Sequence, residues 1–479
     1  MRRAIAPGVC LSAALLAGCA VGPDYKRPEI AMPADWKLEA PWRVGTPSDD
    51  APKGPWWQRF NDPALNGLEE QALANSPTLA AANARVAQAR ASLDAVSASR
   101  YPQVGAVARD ARTRISALRP LTNNTAPNFT TTQNDFVVAG TVSYEVDLAG
   151  RVQRTVEGAS ATAQQVSVDL ENVRLILTAD LATNYFNLRE IDVELDVVTR
   201  SIDLQKASLD LATSRHDLGA TSGLDVAQQQ ALLDSTLTQI DVLKRLRAQY
   251  EHAIAALSGT PPPLFKLDPA AVATVTPPAV PLGVPSDVLE RRPDVAAAER
   301  AMAAANAQVG VTEAAFYPSF NLGGLYGSES YRLTSLFSTP AFIWSLGGSL
   351  VQPIFDGGRI RANAANARAG YDLTVANYRR VVLTAMQEVE DGITGLASLE
   401  RAYNQSQAAI ASSRKVLDVA TARYEGGVAT YLDVITAQQL LLSNERQAAQ
   451  LLGQRFATSV FLVKALGGGW EGLPKVGTK

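Results

Sequence analysis

Two carboxylates stand where charge could act, each just past a glycine-bearing turn. Asp225 closes the stretch Arg215-His216-Asp217-Leu218-Gly219-Ala220-Thr221-Ser222-Gly223-Leu224, and Asp433 closes Arg423-Tyr424-Glu425-Gly426-Gly427-Val428-Ala429-Thr430-Tyr431-Leu432. Gly219 and Gly427 suit a left-handed residue ending a helix, and Arg215 and Arg423 supply the cation favoured at a helix C-terminus. Ser222 with Asp225, and Thr430 with Asp433, have the spacing of a capping box at the next helix start. Each aspartate therefore has a structural use worth about 0.3–1 kcal/mol. Covalent chemistry finds less support. His216 and His252 lie about 36 residues apart with no Cys or carboxylate grouping of metal-ligand form. Gly347-Gly348 and Gly357-Gly358 are expected to end or kink strands, without phosphate-loop spacing. No triad or paired acid can be defended, so the chain is not read as an enzyme.

A second chemical signal opens the chain. Met1-Arg2-Arg3 precedes a mostly apolar stretch from Ala4 to Ala17, too short to span a bilayer as a helix. It ends Leu16-Ala17-Gly18-Cys19, which resembles a bacterial lipobox. On that resemblance residues 1–18 are a lipoprotein signal peptide and Cys19 becomes the lipidated first residue. Ala20 follows in place of an inner-membrane retention Asp, which favours the outer membrane. Cys10 leaves with the signal, so the mature chain holds one cysteine and no internal disulfide.

Long elements must position these turns. A strand pattern (Phe136, Val138, Val142, Tyr144, Val146) runs into Gly150-Arg151, and helical periodicity then continues to about Ser214. The strand from Phe342 to Ile354 likewise meets Asp356-Gly357-Gly358-Arg359, and a second helix runs to about Tyr424. Roughly 65 residues of helix is about 95 Å, too long for a globular core. Val166, Leu170, Val173, Leu177, Leu181, Tyr185 and Leu188 step by three and four. So do Tyr371, Val375, Tyr378, Val382, Ala385, Val389, Leu396, Leu399 and Tyr403, with one skipped step near Gly392. Such seams place helices side by side. Composition agrees: 47% hydrophobic but 6% aromatic, and 44 basic against 47 acidic residues, which points to no nucleic acid.

The chain repeats itself. Ser76-Pro77-Thr78-Leu79-Ala80-Ala81-Ala82 answers Arg292-Pro293-Asp294-Val295-Ala296-Ala297-Ala298 about 216 positions on, and Gly150-Arg151 answers Gly358-Arg359 about 208 on. The difference belongs to a longer first hairpin, in an exposed loop. The expected order is a Pro/Trp-rich arm over 19–64, repeat one over 65–260 with a β-hairpin at about 101–147, and a linker over 261–285. Repeat two follows over 286–468 with a hairpin at about 317–355, then a tail over 469–479. Each repeat reads helix, hairpin, long helix, turn, helix. The arm's Trp36, Trp42, Trp56 and Trp57 are expected to hold it against a surface.

No segment offers 18 uninterrupted apolar residues, so any bilayer crossing must use strands. The aromatics Phe342, Trp344, Phe355, Tyr317 and Tyr326, near strand ends, suit an interfacial girdle. Two hairpins supply four strands, and an open sheet in lipid would leave two unpaired edges. Closure needs eight or more strands. Two copies would give eight and three would give twelve; the backbone argument demands an oligomer without choosing its size.

The residues resemble the TolC-type outer membrane factors, in the lipoprotein branch with NodT-like and OprM-like efflux proteins. The matching segments are Cys19-Ala20-Val21-Gly22-Pro23-Asp24-Tyr25, Trp56-Trp57…Phe60-Asn61-Asp62-Pro63-Ala64-Leu65, and Leu289-Glu290-Arg291-Arg292-Pro293-Asp294-Val295. Pro353-Ile354-Phe355-Asp356-Gly357-Gly358-Arg359 and Arg423-Tyr424…Gly427…Tyr431-Leu432-Asp433-Val434 complete them. The resemblance implies an α+β membrane protein with two structural repeats. It also implies a trimer, with a twelve-stranded outer-membrane barrel continued by a long periplasmic α-helical barrel. Implied partners are two sister copies, outer-membrane lipid, a periplasmic adaptor and an inner-membrane pump of the RND type. The implied function is passive export of drugs, metals or other small molecules, with no cofactor beyond lipid on Cys19.

By the same resemblance the far turns form a periplasmic gate of Leu432, Asp433, Thr436 and Asp225. Adaptor contacts would fall on Leu218, Gly219, Ala220, Arg423, Gly427 and Val428. Leu432 would be the apolar plug, and three copies of Asp433 a cation-favouring ring. The family often carries a further carboxylate and a basic residue after the pore Leu; here these positions are Thr436 and Gln439, against a tip locked by charged pairs. Two rivals stand beside this reading: the outer component of a type I protein secretion system, and a structural envelope lipoprotein that would need no membrane strands.

Overall fold

A computed structural model describes residues 20–28, 55–116, 131–270, 276–278 and 291–468. Cys19, Trp36, Trp42, most of the first hairpin's loop, most of the linker's second half and the tail after 468 lie outside the described residues. The chain divides into two compact units.

The first unit holds residues 1–28, 87–165 and 298–377. Its centre is a four-stranded sheet in the order β1 (Gln103–Ile115), β2 (Thr131–Val146), β3 (Ser319–Ser330), β4 (Phe342–Val351). All three pairings are antiparallel, and β2 with β3 joins the two repeats. The strands are 13, 16, 12 and 10 residues long, mostly beyond the 9–11 that a tilted crossing requires. Gly347 and Gly348 pair with Gly323 and Leu322 inside β4, where the sequence reading had them end or kink a strand. A side chain at Gly348 would meet the Phe320 ring, so the small residue is a matter of packing.

Register sorts the sheet into two faces, because alternate residues point oppositely. One face carries Val104, Ala106 and Ala108 on β1, Phe136, Val138, Val142, Tyr144 and Val146 on β2, then Phe320, Leu322 and Tyr326, and Phe342, Trp344, Leu346 and Leu350. The other carries Gln103, Arg109, Asp135, Thr141, Ser143, Glu145, Asn321, Glu329, Ser345 and Ser349, with glycines and a few aliphatics between. Along β2 the apolar stretch from Phe136 to Val146 rises about 26 Å at ordinary strand tilt, close to the outward apolar band of membrane barrels. Tyr326 meets Phe342 edge to face at 5.0 Å. Tyr317 and Phe355 lie past the opposite strand ends. β1 and β4 each keep one edge without a strand partner among the described residues.

The N-terminal segment is fixed to this unit. Val21 N–H donates to Ala149 O at 3.1 Å. The Arg154 guanidinium donates to the carbonyls of Val21 (3.4 Å) and Gly22 (3.2 Å) and to the Asp24 carboxylate (2.8 Å). The Asn306 amide donates to Pro23 O at 2.8 Å. Gly22 (φ +99) lies so near Gly310 that a Cβ would stand 2.7 Å from its Cα. These bonds place Ala20 against Gly150, where β2 gives way to helix.

The second unit holds residues 29–86, 166–297 and 378–479. The helices in chain order are α1 (Pro63–Asn75), α2 (Pro77–Ser97), α3 (Arg151–Asp217), α4 (Gly223–Leu257), α5 (Pro293–Ala314), α6 (Arg359–Glu425) and α7 (Tyr431–Ala465), of which α1, α4 and α7 lie wholly in this unit and the others run on into the first. The repeat is visible in the lengths: α3 and α6 are 67 residues each, about 100 Å of helix, and α4 and α7 are 35 each. No described helix is long and apolar enough to cross a membrane. On α6 the buried stripe runs Tyr378, Val382, Ala385, Val389, Ile393, Ala397 in unbroken steps of three and four, instead of skipping to Leu396 and Leu399. Gly392 makes the stripe continuous, since α7 packs Leu462 close against it.

Trp56 and Trp57 go further than lying against a surface. With Phe60 they are buried in the main core, where Phe60 packs at 4.9 Å from Phe186 and Phe186 stacks on Phe456 at 4.7 Å. Asp62 caps α1 by accepting from the N–H of Ala64 and Leu65, and its second oxygen takes the Tyr185 hydroxyl at 2.7 Å. A charged network sits beside this core. Asp192 accepts from Arg189 (2.8 Å), Arg247 (2.7 Å) and Ala270 N–H (3.2 Å), while Arg189 also donates to Asp268 O. The linker's first residues are thereby tied to α3 and α4. Arg292 joins Asp294, Glu388 and Ala465 O, holding the start of α5 to α6 and to the end of α7.

Glu69 on α1 is fully buried, and neither carboxyl oxygen has a partner among the described residues. Burial pushes its pKa from 4.5 to about 9. Below pH 4.5 the group is neutral in folded and unfolded chains alike; from there toward pH 9 only the unfolded chain gives up the proton, so stability falls as pH rises. The loss by neutral pH is about 3 kcal/mol. Glu69→Gln is expected to raise the melting temperature at pH 8 and leave it unchanged at pH 4. Equal melting curves at both values would contradict the buried-acid assignment.

Candidate functional site

The predicted site residues gather at the two turns of the second unit. After α3, Gly219 N–H returns to His216 O and Ala220 N–H to Arg215 O, both at 2.8 Å. After α6, Gly427 N–H returns to Tyr424 O at 3.0 Å and Val428 N–H to Arg423 O at 2.9 Å. Gly219 and Gly427 have φ of +75 and +72, the left-handed conformation that closes a helix without a Cβ penalty. The turns leave Leu218 at 84% and Val428 at 68% exposed. Their apolar side chains meet solvent in the single chain, with Ala220 exposed beside them.

The second long helix is capped from across the repeat. Arg215 donates to Tyr424 O (3.5 Å) and Glu425 O (3.3 Å), and its guanidinium lies 4.9 Å over the Tyr424 ring. It was expected to serve the end of its own helix; it serves the other one, where α6 leaves carbonyls unsatisfied. Arg423 donates locally, to Val428 O at 3.5 Å. The Tyr424 hydroxyl donates to the Thr221 hydroxyl at 3.4 Å, and Thr221 donates to the Asp225 carboxylate. Tyr431 packs 4.9 Å from Tyr424 and donates to Ser208 O at 3.2 Å. Burial, reinforced by Tyr424 and Asp225, pushes its phenol up to about 12, so it remains a donor at neutral pH.

The two aspartates part ways here. Ser222 caps α4 by accepting from Leu224 N–H at 3.1 Å, but Asp225 turns to Thr221 and forms no reciprocal box. Asp433 does make the carboxylate arm of a box, accepting from Thr430 N–H at 3.2 Å and the Thr430 hydroxyl at 3.3 Å. Leu432, Asp433 and Thr436 share the exposed side of α7, opposite the buried Tyr431, Val434, Ile435 and Gln438. The Thr436 hydroxyl is taken up by Leu432 O at 2.8 Å. Asp433 is therefore a cap and a surface charge at once, while Asp225 is half-buried and hydrogen-bonded within the chain.

Sequence reasoning missed the polar layer above the turns. Gln229 donates to Gln205 O and Gln438 to the Ser208 hydroxyl, both at 2.9 Å, among buried side chains. The available signal was a glutamine interrupting the apolar stripe on each helix. A groove of about 490 Å³ follows between α4 and α7, lined by Ser235, Gln239, Gln439, Ser443, Arg446 and Gln450 among others. Arg446 is anchored there by Glu194 and by Gln239 at 3.0 Å.

A sheet with one apolar and one polar face, two open edges and girdles at its ends is a segment of a membrane barrel wall. Helices of this length ending in exposed turns belong to a channel that extends beyond the membrane. The profile of the family described as "Outer membrane efflux protein" matches residues 68–260 and 284–468. The pyoverdine export outer membrane protein OpmQ of Pseudomonas aeruginosa is 31% identical over 96% of each chain. The solvent efflux pump outer membrane protein SrpC of Pseudomonas putida is 31% identical over 95% of this chain and 97% of that one. Among solved structures, the outer-membrane channel OprN superposes with a TM-score of 0.87 at 30% identity, covering 94% of this chain and 100% of its own.

The chain belongs to the outer membrane efflux protein family. It has the TolC-like fold, a trimeric channel with a membrane β-barrel and a periplasmic helical domain. It is the outer-membrane exit duct of a tripartite efflux system for small molecules, and not an enzyme.

Proposed function

We propose that this duct is anchored by lipid on Cys19, closed at its periplasmic turns, and engaged there by an adaptor serving an RND-type pump. The observation that carries the reading is the pair of matched turns, each exposing an apolar residue beside a capped helix end. Leu432 from each copy narrows the axis, and Asp433 beside it supplies a ring of charge that favours cations. Thr436 lies one turn further on, and Asp225 holds its turn in shape through Thr221. Leu218, Gly219, Ala220, Arg423, Gly427 and Val428 present the surface an adaptor meets.

The anchor reading is supported by the docking of residues 20–24. Ala20 is held where β2 meets α3, the end of the sheet away from the hairpin turn. Acyl chains on the preceding residue would enter the membrane leaflet nearest the helices, each CH2 contributing about 0.8 kcal/mol. The cargo class is small molecules; OpmQ is named for pyoverdine and SrpC for solvents, so relatives of similar identity serve different cargoes.

Planar-bilayer recording tests the charge ring. Asp433→Ala is expected to shift the reversal potential under a salt gradient toward zero, reporting weaker cation preference. It also removes the capping arm, at about 0.3–1 kcal/mol of local stability. An unaltered reversal potential would sink the ring, whatever happened to the melting temperature.

A further inference from the structure

The apolar face of the sheet changes character at one corner. On β1 the outward run Val104, Ala106, Ala108 is followed on the same face by Asp110, Arg112 and Arg114. Asp110 lies opposite Phe136, where the apolar run of β2 ends, and Arg112 and Arg114 lie opposite Asn134 and Thr132, beyond it. The change falls at the hairpin-turn end of the strands, away from the helices. Periplasmic helices make this the extracellular rim. Just inside the rim, on the same face, stand Tyr326, Phe342 and Trp344, with Tyr326 paired to Trp344 in register.

Arg112 and Arg114 are exposed, and no ion-pair or hydrogen-bond partner is found for either among the described residues. Their neighbour Arg109 differs in both respects: it faces the polar side and pairs with Asp135. The two free guanidinium groups therefore point away from the conduit, so they do not meet cargo. They point to the layer in which lipid headgroups lie. Two residues apart on one strand face, their Cα atoms are separated by about 6.8 Å, a spacing suited to two phosphate groups or to both sides of one headgroup. Guanidinium donors match phosphate oxygens in pairs, and basic residues at a membrane surface attract anionic lipid. Asp110, on the same face and nearer the apolar belt, offsets one of the two charges; Arg332, which follows the end of β3, adds another near the same rim.

We propose that Arg112 and Arg114 form a binding site for the phosphates of the anionic glycolipid that makes up the outer leaflet. The site grips the barrel in its leaflet from outside and takes no part in conduction. It rests on the outer-membrane placement of the hairpins, but not on the gate or the adaptor.

The test uses the assembled full-length protein in phosphatidylcholine nanodiscs doped with bisphosphorylated lipid A or with its dephosphorylated form, measuring lipid retained per trimer. Wild type is expected to retain the phosphorylated form preferentially. The R112A/R114A variant loses about tenfold of that preference, while R109A keeps it. R112K/R114K keeps part of it, since charge survives but paired donation does not. Equal retention of the two lipid forms by wild type would overturn the proposal. So would a preference for phosphatidylglycerol as strong as that for lipid A, or a loss in R109A equal to that in the double variant. Single-channel conductance of R112A/R114A matching wild type would keep a failure here distinct from a failure of the duct reading.

Discussion

Leu346→Arg is expected to remove assembled channel from the outer membrane, and Ser345→Arg, one residue away, to leave it in place. The two positions are consecutive on β4 and so face opposite ways. Leu346 lies level with Gly324 on β3 and, through it, with Val142 on β2, at the middle of the apolar belt. An arginine at the midplane of a barrel's lipid face costs about 2–4 kcal/mol per copy. A symmetric trimer repeats that cost three times, against a net folding stability of about 5–15 kcal/mol for an ordinary domain. Ser345 faces the polar side with Thr141 and Ser143, where a cation can be hydrated. Immunoblots of membrane fractions run without heating would show the oligomer band lost in the first variant and kept in the second. Equal behaviour would mean that the faces have been assigned wrongly.

Asp192→Ala is expected to destabilise the second unit by about 3–5 kcal/mol. Its side chain is 3% exposed, and it is the acceptor on which Arg189 and Arg247 converge. Removing it leaves the buried Arg189 guanidinium without a carboxylate partner and Arg247 with Glu251 alone, and frees the linker at Ala270. Asp196 offers the contrast: its pair with Arg200 is 65% and 59% exposed, and Asp196→Ala should cost about 0–1 kcal/mol. Denaturant melts of purified protein would separate the two. A change under 1 kcal/mol for Asp192→Ala would show that the network is solvated in the assembled protein.

Much of this architecture was legible because its periods are long and repeated. Two 67-residue helices and two alternating strand pairs leave signals that single errors do not erase, and the Gly219 and Gly427 turns follow from the one residue type that adopts positive φ freely. What escaped depended on partners distant in sequence. Gly347 and Gly348 looked like a strand end because glycine weakens strands locally, yet both lie inside β4, and Phe320 across the sheet is what requires Gly348. Trp56 and Trp57 sit among prolines, and partners more than a hundred residues away make them core: Thr178, which accepts from the Trp56 indole, and Phe186 and Phe456, which pack on Phe60. Arg215 was correctly placed near a helix end, but the carbonyls it serves belong to the other repeat. Ser222 and Asp225 have the spacing of a capping box without forming one, since Thr221 offers the carboxylate a nearer donor. Spacing names the options of a side chain, and the competing donor decides among them.

The central claim is that the four-stranded sheet is one third of a closed wall, its β1 and β4 edges paired with those of sister chains. Native mass measurement of detergent-extracted protein tests this most directly. A single species of three chains that survives dilution is expected, because an open edge in an apolar medium costs several kcal/mol for each unpaired group. A stable single-chain species inserted in detergent would contradict it.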